Sequence, residues 1–346
     1  MKAIFITEHG GVEVLKYGDL PEPTIGPTDI KVRVRACSIN RVDAFTRAGI
    51  KGTRLRLLDP HILGGDVSGD VVEAGEAVTR LKADDRVVVL PRVTCGQCQF
   101  CISADEELCS MPRQLGTTMN GGYAEYVSVP AVNAVKIPDT MTYNEASALP
   151  TVFVPVWNML LRRANLQSWE TVLVLSASSG VGSAAIQVAK NVLGATVIAT
   201  TSTEEKANKA RSLGADEVIV YTKEDIAEKT MAATDHLGVN VVVDHVGSDF
   251  WEMAMASMAP GGRYGICGVT TGYRANLHMG LLFVRSQTVF GVYMGRKEDF
   301  RQVVDSASKG LIRGVVDQTF PLSNAADAHQ ALEDQNFFGK LVITVP

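Results

Sequence analysis

A regular alternation of strand-like and helix-like segments constrains the middle of this chain more than any other feature. The apolar run at 172–175 is followed by a helical pattern at 181–192 and a second apolar run at 196–199. Further strand-like and helix-like segments follow in the same way at 217–220, 226–233, 240–244, 251–258 and 262–266. Near-continuous apolar strands joined by helices predict a parallel β-sheet covered on both faces.

The first 140 residues have a different texture. Apolar and basic residues alternate at 30–36, which predicts a half-buried strand, and short apolar stretches follow at 71–72, 86–90 and 123–129. Gly, Pro and Asp turns separate them, as in a compact antiparallel sheet or barrel. The chain ends with a helical pattern at 300–308 and a strand at 341–344. A length of 346 residues favours two domains, since a single core rarely grows so large.

Composition narrows the class of partner. The formal net charge of -5 and the pI of about 5.7 give no basic surface for nucleic acid or an anionic membrane, so we expect a small-molecule substrate. The apolar N-terminal stretch is too short for a signal peptide, and no apolar run is long enough to span a membrane. Six cysteines without an export signal favour a reducing, cytoplasmic location over a disulfide framework.

The turn after the 172–175 strand resembles a dinucleotide-binding turn. Ala177, Ser179 and Gly182 occupy the three positions where such turns have glycine, and Gly180 and Val181 lie between them. Small residues there let the backbone approach a pyrophosphate at the start of the helix. A strand-to-helix connection with small residues for packing is the alternative, and the surrounding α/β pattern favours the cofactor.

The end of the next strand bears on which dinucleotide binds. NAD sites usually have an acid there for the adenosine ribose, but this strand ends in 200–203 with hydroxyl residues, among them Thr201. We attribute the following acids to a capping box formed by Ser202 and Glu205. Lys206 in the first helical turn opposes the helix dipole unless an anion, such as a 2′-phosphate, is nearby. The pattern therefore favours NADP over NAD, although Lys206 is equally compatible with a solvated surface lysine.

Four cysteines carry the strongest chemical signal: Cys95, Cys98, Cys101 and Cys109. Four thiolates can close a tetrahedron around Zn²⁺ and leave no open position, so the metal would have a structural role. An iron–sulfur cluster is the rival, but ferredoxin runs have a three-residue last gap and a following proline, which are missing here. Cys37 and Cys267 lie in apolar strand-like settings and are expected to be core residues.

Together, these features resemble the medium-chain dehydrogenase/reductase superfamily, which includes zinc alcohol dehydrogenases, quinone oxidoreductases and enoyl reductases. The resemblance rests on the cysteine loop, the strand–turn–helix at 172–190, and the glycine-containing segments 64–69 and 121–126. It covers essentially the whole chain. It implies a GroES-like catalytic domain at 1–153 and 297–346 with a zinc lobe at 92–113, a doubly wound Rossmann domain at 154–296, an active site in the cleft, and a homodimer or homotetramer.

The chain departs from zinc alcohol dehydrogenases at each ligand of the catalytic metal. Alignment on the family motifs places Asn40 at the first cysteine ligand, Gly65 at the histidine and Val152 at the third ligand, with Asp66 at the neighbouring glutamate. None of the first three supplies a typical zinc ligand, which argues against a catalytic zinc. A displaced site formed by Cys37, His61 and Asp66 is the remaining alternative.

The segment 38–43 is instead similar to the quinone oxidoreductase and enoyl reductase branch, which transfers hydride without a metal. The resemblance implies that Asn40 orients the substrate oxygen or the nicotinamide ribose, that Asp43 braces its loop or caps a helix, and that Tyr123 offers a phenolic donor. It also implies a set of cofactor contacts: Thr151, Ala177, Ser179, Gly180, Val181, Gly182, Thr201, Ser202, Lys206, Tyr221, Gly268, Val269 and Lys340.

Conjugated acceptors suit a site without a Lewis acid, because a quinone or an α,β-unsaturated carbonyl spreads the incoming charge onto a distant oxygen. We therefore predict an NADP(H)-dependent oxidoreductase that reduces such a carbonyl and carries one structural zinc. One alternative is an alcohol dehydrogenase with an atypical or absent catalytic zinc. Another is an NADPH-binding protein of the crystallin type that does not turn over substrate.

Overall fold

The computed structural model describes residues 1–50 and 56–346, which form two compact units. Unit 1 contains Met1–Thr151, Arg296–Ser308 and Arg313–Pro346, and unit 2 contains Val152–Gly295 and Lys309–Ile312. The expected boundaries lie after residues 153 and 296, and the units divide after Thr151 and Gly295. The short segment Lys309–Ile312 was expected in the catalytic domain but groups with unit 2, where the amide of Asn191 donates to the Leu311 carbonyl at 3.0 Å.

Unit 1 begins with a series of short strands and three short helices. In chain order they are β1 (Lys2–Ile6), β2 (Lys16–Asp19), β3 (Asp29–Ser38), α1 (Arg41–Ala48), β4 (His61–Ile62), β5 (Asp66–Ala74), β6 (Arg86–Val89), β7 (Arg92–Val93), α2 (Gln99–Ile102), β8 (Arg113–Gln114), β9 (Tyr126–Pro130), β10 (Ala134–Lys136) and α3 (Tyr143–Ser147). Residues 123–125, which were expected to open a strand, precede β9, and the Tyr123 N–H donates to the Leu63 carbonyl.

Alternating helices and strands follow, of which α4 begins at the end of unit 1 and the rest belong to unit 2. They are α4 (Pro150–Trp157), β11 (Thr171–Val174), α5 (Gly180–Gln187), β12 (Thr196–Thr201), α6 (Glu204–Ser212), β13 (Glu217–Val220), α7 (Ile226–Ala233), β14 (Val239–Asp244), α8 (Ser248–Ala256), β15 (Met258–Ile266), α9 (Met279–Val284) and β16 (Thr288–Gly291). The helical pattern expected at 181–192 is present, but Val188–Val192 continues α5 with π-helical geometry.

The chain then returns to unit 1 with α10 (Lys297–Ser308), β17 (Val316–Pro321), α11 (Ala325–Asp334) and β18 (Lys340–Thr344). The main sheet of unit 1 has seven strands, in the order β10-β6-β5-β3-β18-β17 with β9 also paired to β3. All its pairs are antiparallel except β17 with β18. This agrees with the antiparallel sheet expected from the alternating pattern at 30–36.

The sheet of unit 2 has the strand order β13-β12-β11-β14-β15-β16, and every pair is parallel. The parallel doubly wound sheet predicted from sequence is therefore confirmed. The order places β11 and β14 side by side at the point where successive connections change direction. Ligands of such folds bind at the carboxyl ends of the strands flanking this switch point. Among the described residues, no helix is both long and apolar enough to cross a membrane.

Candidate active site

Strand pairing in unit 1 gathers a set of polar side chains, which are buried except for the half-buried Thr151. Ser38 ends β3, where it pairs with Asp66 of β5 and with Val342 of β18, so the start of β18 lies beside both. Asn40 follows directly and precedes α1. We call the resulting group the Asp66 cluster, and it consists of Ser38, Asn40, Asp43, Asp66, Thr151 and Lys340.

Asp66 lies at the centre of the cluster and is fully buried. Its Oδ1 accepts hydrogen bonds from the Thr151 backbone N–H at 3.2 Å and the Thr151 hydroxyl at 2.7 Å. Its Oδ2 accepts from the Asn40 amide nitrogen at 2.9 Å and the Ser38 hydroxyl at 3.2 Å. Burial raises the pKa of the carboxyl, while the nearby Lys340 ammonium and these donors lower it. Thr151, expected to contact the cofactor, is engaged here with Asp66.

Lys340 supplies the cation of the cluster. Its Nζ donates to the Ile39 carbonyl at 2.8 Å and to Oδ1 of Asn40 at 2.5 Å, and it lies 3.7 Å from Oδ2 of Asp66. The side chain is only 5% exposed, and burial lowers its pKa. The resemblance predicts that Lys340 touches the cofactor, and within the protein its ammonium contacts Asn40 and Asp66.

Asn40 is hydrogen-bonded at both ends of its amide, through Lys340 at the oxygen and through Asp66 at the nitrogen. With 7% exposure, it has little surface to offer a substrate. Asp43 accepts the Asn40 backbone N–H at 2.8 Å, so it braces this turn and caps α1, as both of its expected roles required. Burial raises the pKa of Asp43 to about 7. Asn40 is thus placed to position its neighbours rather than to contact the substrate itself.

Tyr123 does not join this cluster. Its side chain is fully buried, and its hydroxyl lies 3.2 Å from Nε2 of His329, whose Nδ1 in turn lies 3.0 Å from Nη1 of Arg47. The Tyr123 ring also explains why residue 64 is glycine. Gly64 has φ 94°, and a Cβ there would come within 2.3 Å of the ring. Tyr123 therefore has no exposed hydroxyl with which to donate to a substrate.

The alternative metal site is not formed. Within residues 1–50 and 56–346, one group of His, Cys, Asp or Glu side chains has the spacing to hold a metal, and it is the four-cysteine group rather than Cys37, His61 and Asp66. The ring Nε2 of His61 lies 3.2 Å from the Gly116 carbonyl. Burial raises the pKa of the Cys37 thiol, which keeps it protonated.

The four-cysteine group is formed as its spacing predicts. The sulfur atoms of Cys95, Cys98, Cys101 and Cys109 all lie within 4.8 Å of one another. Backbone N–H groups point at two of them, from Cys95 to the Cys109 sulfur at 3.3 Å and from Cys98 to the Cys95 sulfur at 3.4 Å. Such donors stabilise thiolates, and four thiolates at this spacing fit tetrahedral Zn²⁺ with no open position.

The expected dinucleotide turn of unit 2 is built as the sequence suggests. Ser179 precedes α5, and its hydroxyl accepts the N–H of Gly182 at 2.8 Å. Gly182 cannot carry a side chain, because a Cβ would lie 2.2 Å from the Ser176 carbonyl oxygen. Ala177 is fully buried, and its N–H donates to the Thr200 carbonyl. Gly180 and Val181 form the first turn of α5, so they lie where exposed N–H groups favour a phosphate.

The residues expected around the adenosine ribose lie at the carboxyl ends of β12 and β13. The Tyr221 N–H donates to the Thr201 carbonyl at 3.0 Å, and the Thr222 hydroxyl donates to the Ser202 carbonyl. The predicted capping box was wrong by one residue. Thr203 caps α6 by accepting the N–H of Lys206 at 3.3 Å, which leaves the Ser202 hydroxyl outside the cap. Glu205 instead pairs with Lys209 on the surface.

Gly268 and Val269, the last expected cofactor contacts, follow β15. A Cβ on Gly268 would lie 2.8 Å from the carbonyl oxygen of His245, and Val269 packs beside Gly247 at the start of α8. This segment therefore lies against the residues that follow β14. Both strands, β14 and β15, end here at their carboxyl ends, where ligands of such folds bind.

Two family models match this chain, one mainly in each unit. Residues 26–139 match the alcohol dehydrogenase GroES-like domain, and residues 180–309 match the zinc-binding dehydrogenase family. The first match confirms the expected GroES-like character of unit 1.

Relatives that match over nearly their full length are named for different activities. The chain is 31% identical to an NAD-dependent alcohol dehydrogenase of Sulfolobus acidocaldarius, with all of both chains covered. It is 32% identical to an acryloyl-coenzyme A reductase of Metallosphaera sedula, with 99% of this chain and 100% of the relative covered. A crystal structure of an NAD-dependent alcohol dehydrogenase matches all of both chains with a TM-score of 0.96 and 37% identity.

These matches run from one end of the chain to the other and agree with the strand order, the turn at Ser179 and the cysteine group. They identify a nicotinamide-dependent enzyme but leave its acceptor open. The chain belongs to the medium-chain dehydrogenase/reductase superfamily and is an NAD(P)H-dependent oxidoreductase.

Proposed function

We propose that this enzyme uses NADP(H) to reduce a conjugated carbonyl, either an α,β-unsaturated carbonyl compound or a quinone, without a catalytic metal. One observation carries the proposal. The side chain at the position of the first zinc ligand, Asn40, is an amide whose oxygen accepts from Lys340 and whose nitrogen donates to Asp66. This position is therefore occupied by an internally satisfied polar group rather than by a thiolate poised for a metal.

The chemistry of the acceptor follows from the strength of the groups available. An isolated aldehyde or ketone concentrates the new negative charge on one oxygen, which calls for a strong Lewis acid or an oxyanion hole. In a conjugated acceptor, hydride goes to the β-carbon and the charge spreads to the carbonyl oxygen, so positioning and a weaker donor suffice. The nicotinamide, when bound, supplies the hydride, and the protein residues orient the acceptor and exclude water.

The acryloyl-coenzyme A reductase relative supports this acceptor class, because acryloyl is an α,β-unsaturated thioester. The alcohol dehydrogenase relatives favour a second candidate, alcohol oxidation with an atypical site. We give it second place because Asn40 and Gly65 replace two metal ligands with residues that lack a thiolate or imidazole.

The cofactor preference rests on the carboxyl ends of β12 and β13. Thr201, Ser202 and Tyr221 lie there, and no carboxylate ends β12. Lys206 follows in the first turn of α6. Hydroxyls and one cation suit a 2′-phosphate better than they suit a bare ribose. In unit 1, Cys95, Cys98, Cys101 and Cys109 would hold one Zn²⁺, which binds the lobe together and takes no part in hydride transfer.

A substrate panel tests the proposal. We would measure oxidation of NADPH and NADH with an acryloyl thioester, an enone and a benzoquinone, and reduction of NADP⁺ and NAD⁺ with primary and secondary alcohols. We expect turnover of conjugated acceptors with NADPH and at least about tenfold slower alcohol oxidation. Alcohol oxidation as the faster reaction, with a second equivalent of zinc, would establish the second candidate. Tight NADPH binding without turnover of any acceptor would support a non-enzymatic role.

A matched pair of variants tests the part played by Asn40. Asn40→Ala should lower kcat with conjugated acceptors, because Asp66 and Lys340 lose the amide between them. Asn133→Ala is the control, since Asn133 is also buried and its amide donates to the Leu90 and Arg92 carbonyls outside the cluster. Equal loss of kcat in two equally folded variants would contradict a special role for Asn40.

A further inference from the structure

A histidine outside the recognised cofactor motifs lies against the dinucleotide turn. His245 directly follows β14, and its Nε2 lies 2.6 Å from the hydroxyl oxygen of Ser179. Because β14 pairs with β11, and Ser179 lies in the turn after β11, the two residues face each other across the carboxyl ends of the switch-point strands. The Gly268 segment, an expected cofactor contact, packs against His245 as well, since a Cβ on Gly268 would lie 2.8 Å from the His245 carbonyl oxygen.

The ring of His245 has one nitrogen to spare. In the part of the chain that the structure describes, its Nδ1 is buried and has no hydrogen-bond partner. A buried ring nitrogen without a partner costs free energy, so such groups usually have a ligand or a water molecule to bind. Burial lowers the pKa of the imidazole to about 4, which keeps the ring neutral, with a single N–H, near neutral pH.

The number of protons on Ser179 and His245 decides how many hydrogen bonds the pair can donate. The Ser179 hydroxyl oxygen already accepts the Gly182 N–H at 2.8 Å. The hydroxyl and the neutral ring carry one proton each, and one of the two fills the contact between Oγ and Nε2. The other remains, on Nδ1 if Ser179 donates to the ring, or on the Ser179 hydroxyl if the ring donates to Ser179. Because Nδ1 is enclosed by protein atoms, the tautomer that serves an outside acceptor is the second, in which the ring donates from Nε2 and the Ser179 hydroxyl keeps its proton for the acceptor.

We propose that Ser179 and His245 act as a single hydrogen-bond donor to a pyrophosphate oxygen of the bound dinucleotide. The position favours this acceptor, since phosphates bind at the start of the helix after the first strand, where Ser179 lies. The Ser179 hydroxyl occupies the Gly182 N–H, which would otherwise be available to the phosphate, and the pair returns one donor in its place. The proposal rests on the NAD(P)H dependence of the enzyme, and it is independent of the acceptor and of the 2′-phosphate.

The probe for the test is ADP-ribose, which has the pyrophosphate but neither the nicotinamide nor a 2′-phosphate. We would measure its Kd by calorimetry for the wild type and for His245→Phe, which keeps a ring and removes both nitrogens. We expect at least about tenfold weaker binding of ADP-ribose, and a similar factor for NADPH and NADH, since all three share the pyrophosphate. A Kd for ADP-ribose within twofold of the wild type would overturn the proposal.

His236→Asn is the matched control. His236 is exposed and precedes β14, so it lies at the amino end of the strand that His245 follows. Asparagine tolerates the left-handed backbone at this position, where φ is 64°. We expect its Kd to be unchanged. An equal loss of affinity in both variants would show a general effect of the substitutions and would overturn the proposal.

A double-mutant cycle tests whether the two groups act as one. Ser179→Ala and His245→Phe should each weaken ADP-ribose binding, and the double variant should lose little more than either single variant. If the two factors multiply, the side chains act separately and the shared donor is wrong. His245→Gln, which can donate from its amide, should recover part of the affinity lost in His245→Phe.

A second measurement uses the wild-type protein, so it does not depend on whether a variant folds. In protein labelled with ¹⁵N at histidine, binding of ADP-ribose should shift the ring nitrogen signals of His245 and leave those of His236 in place. Unchanged His245 signals in the saturated complex would overturn the proposal. This result does not depend on the proposed reaction, because ADP-ribose binds at the pyrophosphate site whichever acceptor the enzyme reduces. Failure of this proposal and failure of the proposed function can therefore be distinguished.

Discussion

The ammonium of Lys340 lies 2.5 Å from the amide oxygen of Asn40, and both side chains are buried. The same ammonium lies 3.7 Å from the buried carboxylate of Asp66. Burying a charge costs much free energy unless an opposite charge or several hydrogen bonds compensate it. Lys340 therefore holds the Asp66 cluster together.

Replacing Lys340 with methionine should destabilise the protein strongly. The variant leaves Asp66 without its cation and the Asn40 oxygen without its donor, and breaking such a buried pair costs about 3 kcal/mol. Urea unfolding followed by circular dichroism measures the change. Lys2→Met is the control, because Lys2 pairs with Asp19 at the shorter distance of 2.7 Å but on the surface, where a pair contributes little. A larger effect at Lys2 would show that distance rather than burial decides.

The raised pKa of Asp43 predicts a pH dependence of stability. The folded value is about 7 and the ordinary value is 3.8, so between these pH values the folded state binds more protons than the unfolded state. The contribution of Asp43 is then largest below pH 3.8 and is lost as the pH rises through about 7. Asp43→Asn should remove this slope, which approaches about 1.4 kcal/mol per pH unit for a single group.

The measurement for Asp43 is the free energy of unfolding of the wild type minus that of Asp43→Asn, from pH 4 to 8. Subtraction removes the contribution of titrating groups that do not interact with Asp43. The charge of Asp66 raises the pKa of Asp43, so the difference also contains the coupling between these two carboxyls. A difference that is constant over this range would show that Asp43 stays ionised in the folded protein.

Sequence reasoning located the elements of unit 2 closely and for a clear physical reason. The segments expected at 217–220 and 226–233 match β13 and α7 residue for residue. Buried parallel strands are apolar throughout, and their covering helices have a period near 3.6, so both leave a strong local pattern. The cap of α6 was misplaced by one residue because Ser202 and Thr203 both carry a hydroxyl. That local signal is degenerate, and packing decides which residue caps the helix.

The Asp66 cluster shows where sequence reasoning ends. Asn40, Asp43 and Asp66 were identified from family motifs, but the contact between Asn40 and Lys340 joins residues 300 positions apart. It depends on the pairing of β18 with β3, which local patterns do not encode. Tyr123 was misjudged for a similar reason, since its partner His329 lies on α11, far along the chain. His245 was missed because a single histidine after a strand carries no motif.

Lys206 should distinguish the two dinucleotides. If its ammonium meets the 2′-phosphate, Lys206→Ala should weaken NADPH binding by about tenfold and leave NADH binding unchanged, because NADH lacks that phosphate. Fluorescence titration with both cofactors measures this. Lys209→Ala is the control, since Lys209 lies one turn later on α6 and pairs with Glu205. A similar loss for NADPH and NADH would place Lys206 away from the 2′-phosphate.

The edge of the unit 2 sheet predicts self-association. β16 is the outer strand, and the neighbouring helix α9 exposes Met279, Leu281, Phe283 and Val284, with Phe283 81% exposed. An unpaired strand edge beside exposed apolar side chains is a typical interface, and we propose that a second copy of the chain covers it. Light scattering after gel filtration should show a dimer or tetramer that Phe283→Asp dissociates. Leu237→Asp, at another exposed apolar residue of unit 2, should leave the oligomer intact.

The four-cysteine group predicts the metal content. With no open coordination position and no second metal-capable group among residues 1–50 and 56–346, we expect one zinc ion per chain by elemental analysis. Cys95→Ser should lower the zinc content towards zero and make the 92–113 lobe sensitive to proteases, because the thiolates that hold the metal also hold the lobe. Cys267→Ser should retain the zinc, since Cys267 lies outside the group and burial raises the pKa of its thiol to about 12. Two zinc ions per chain would require a second metal site and would favour metal-assisted alcohol oxidation. Loss of zinc in Cys267→Ser would show that the metal depends on a residue outside the four-cysteine group.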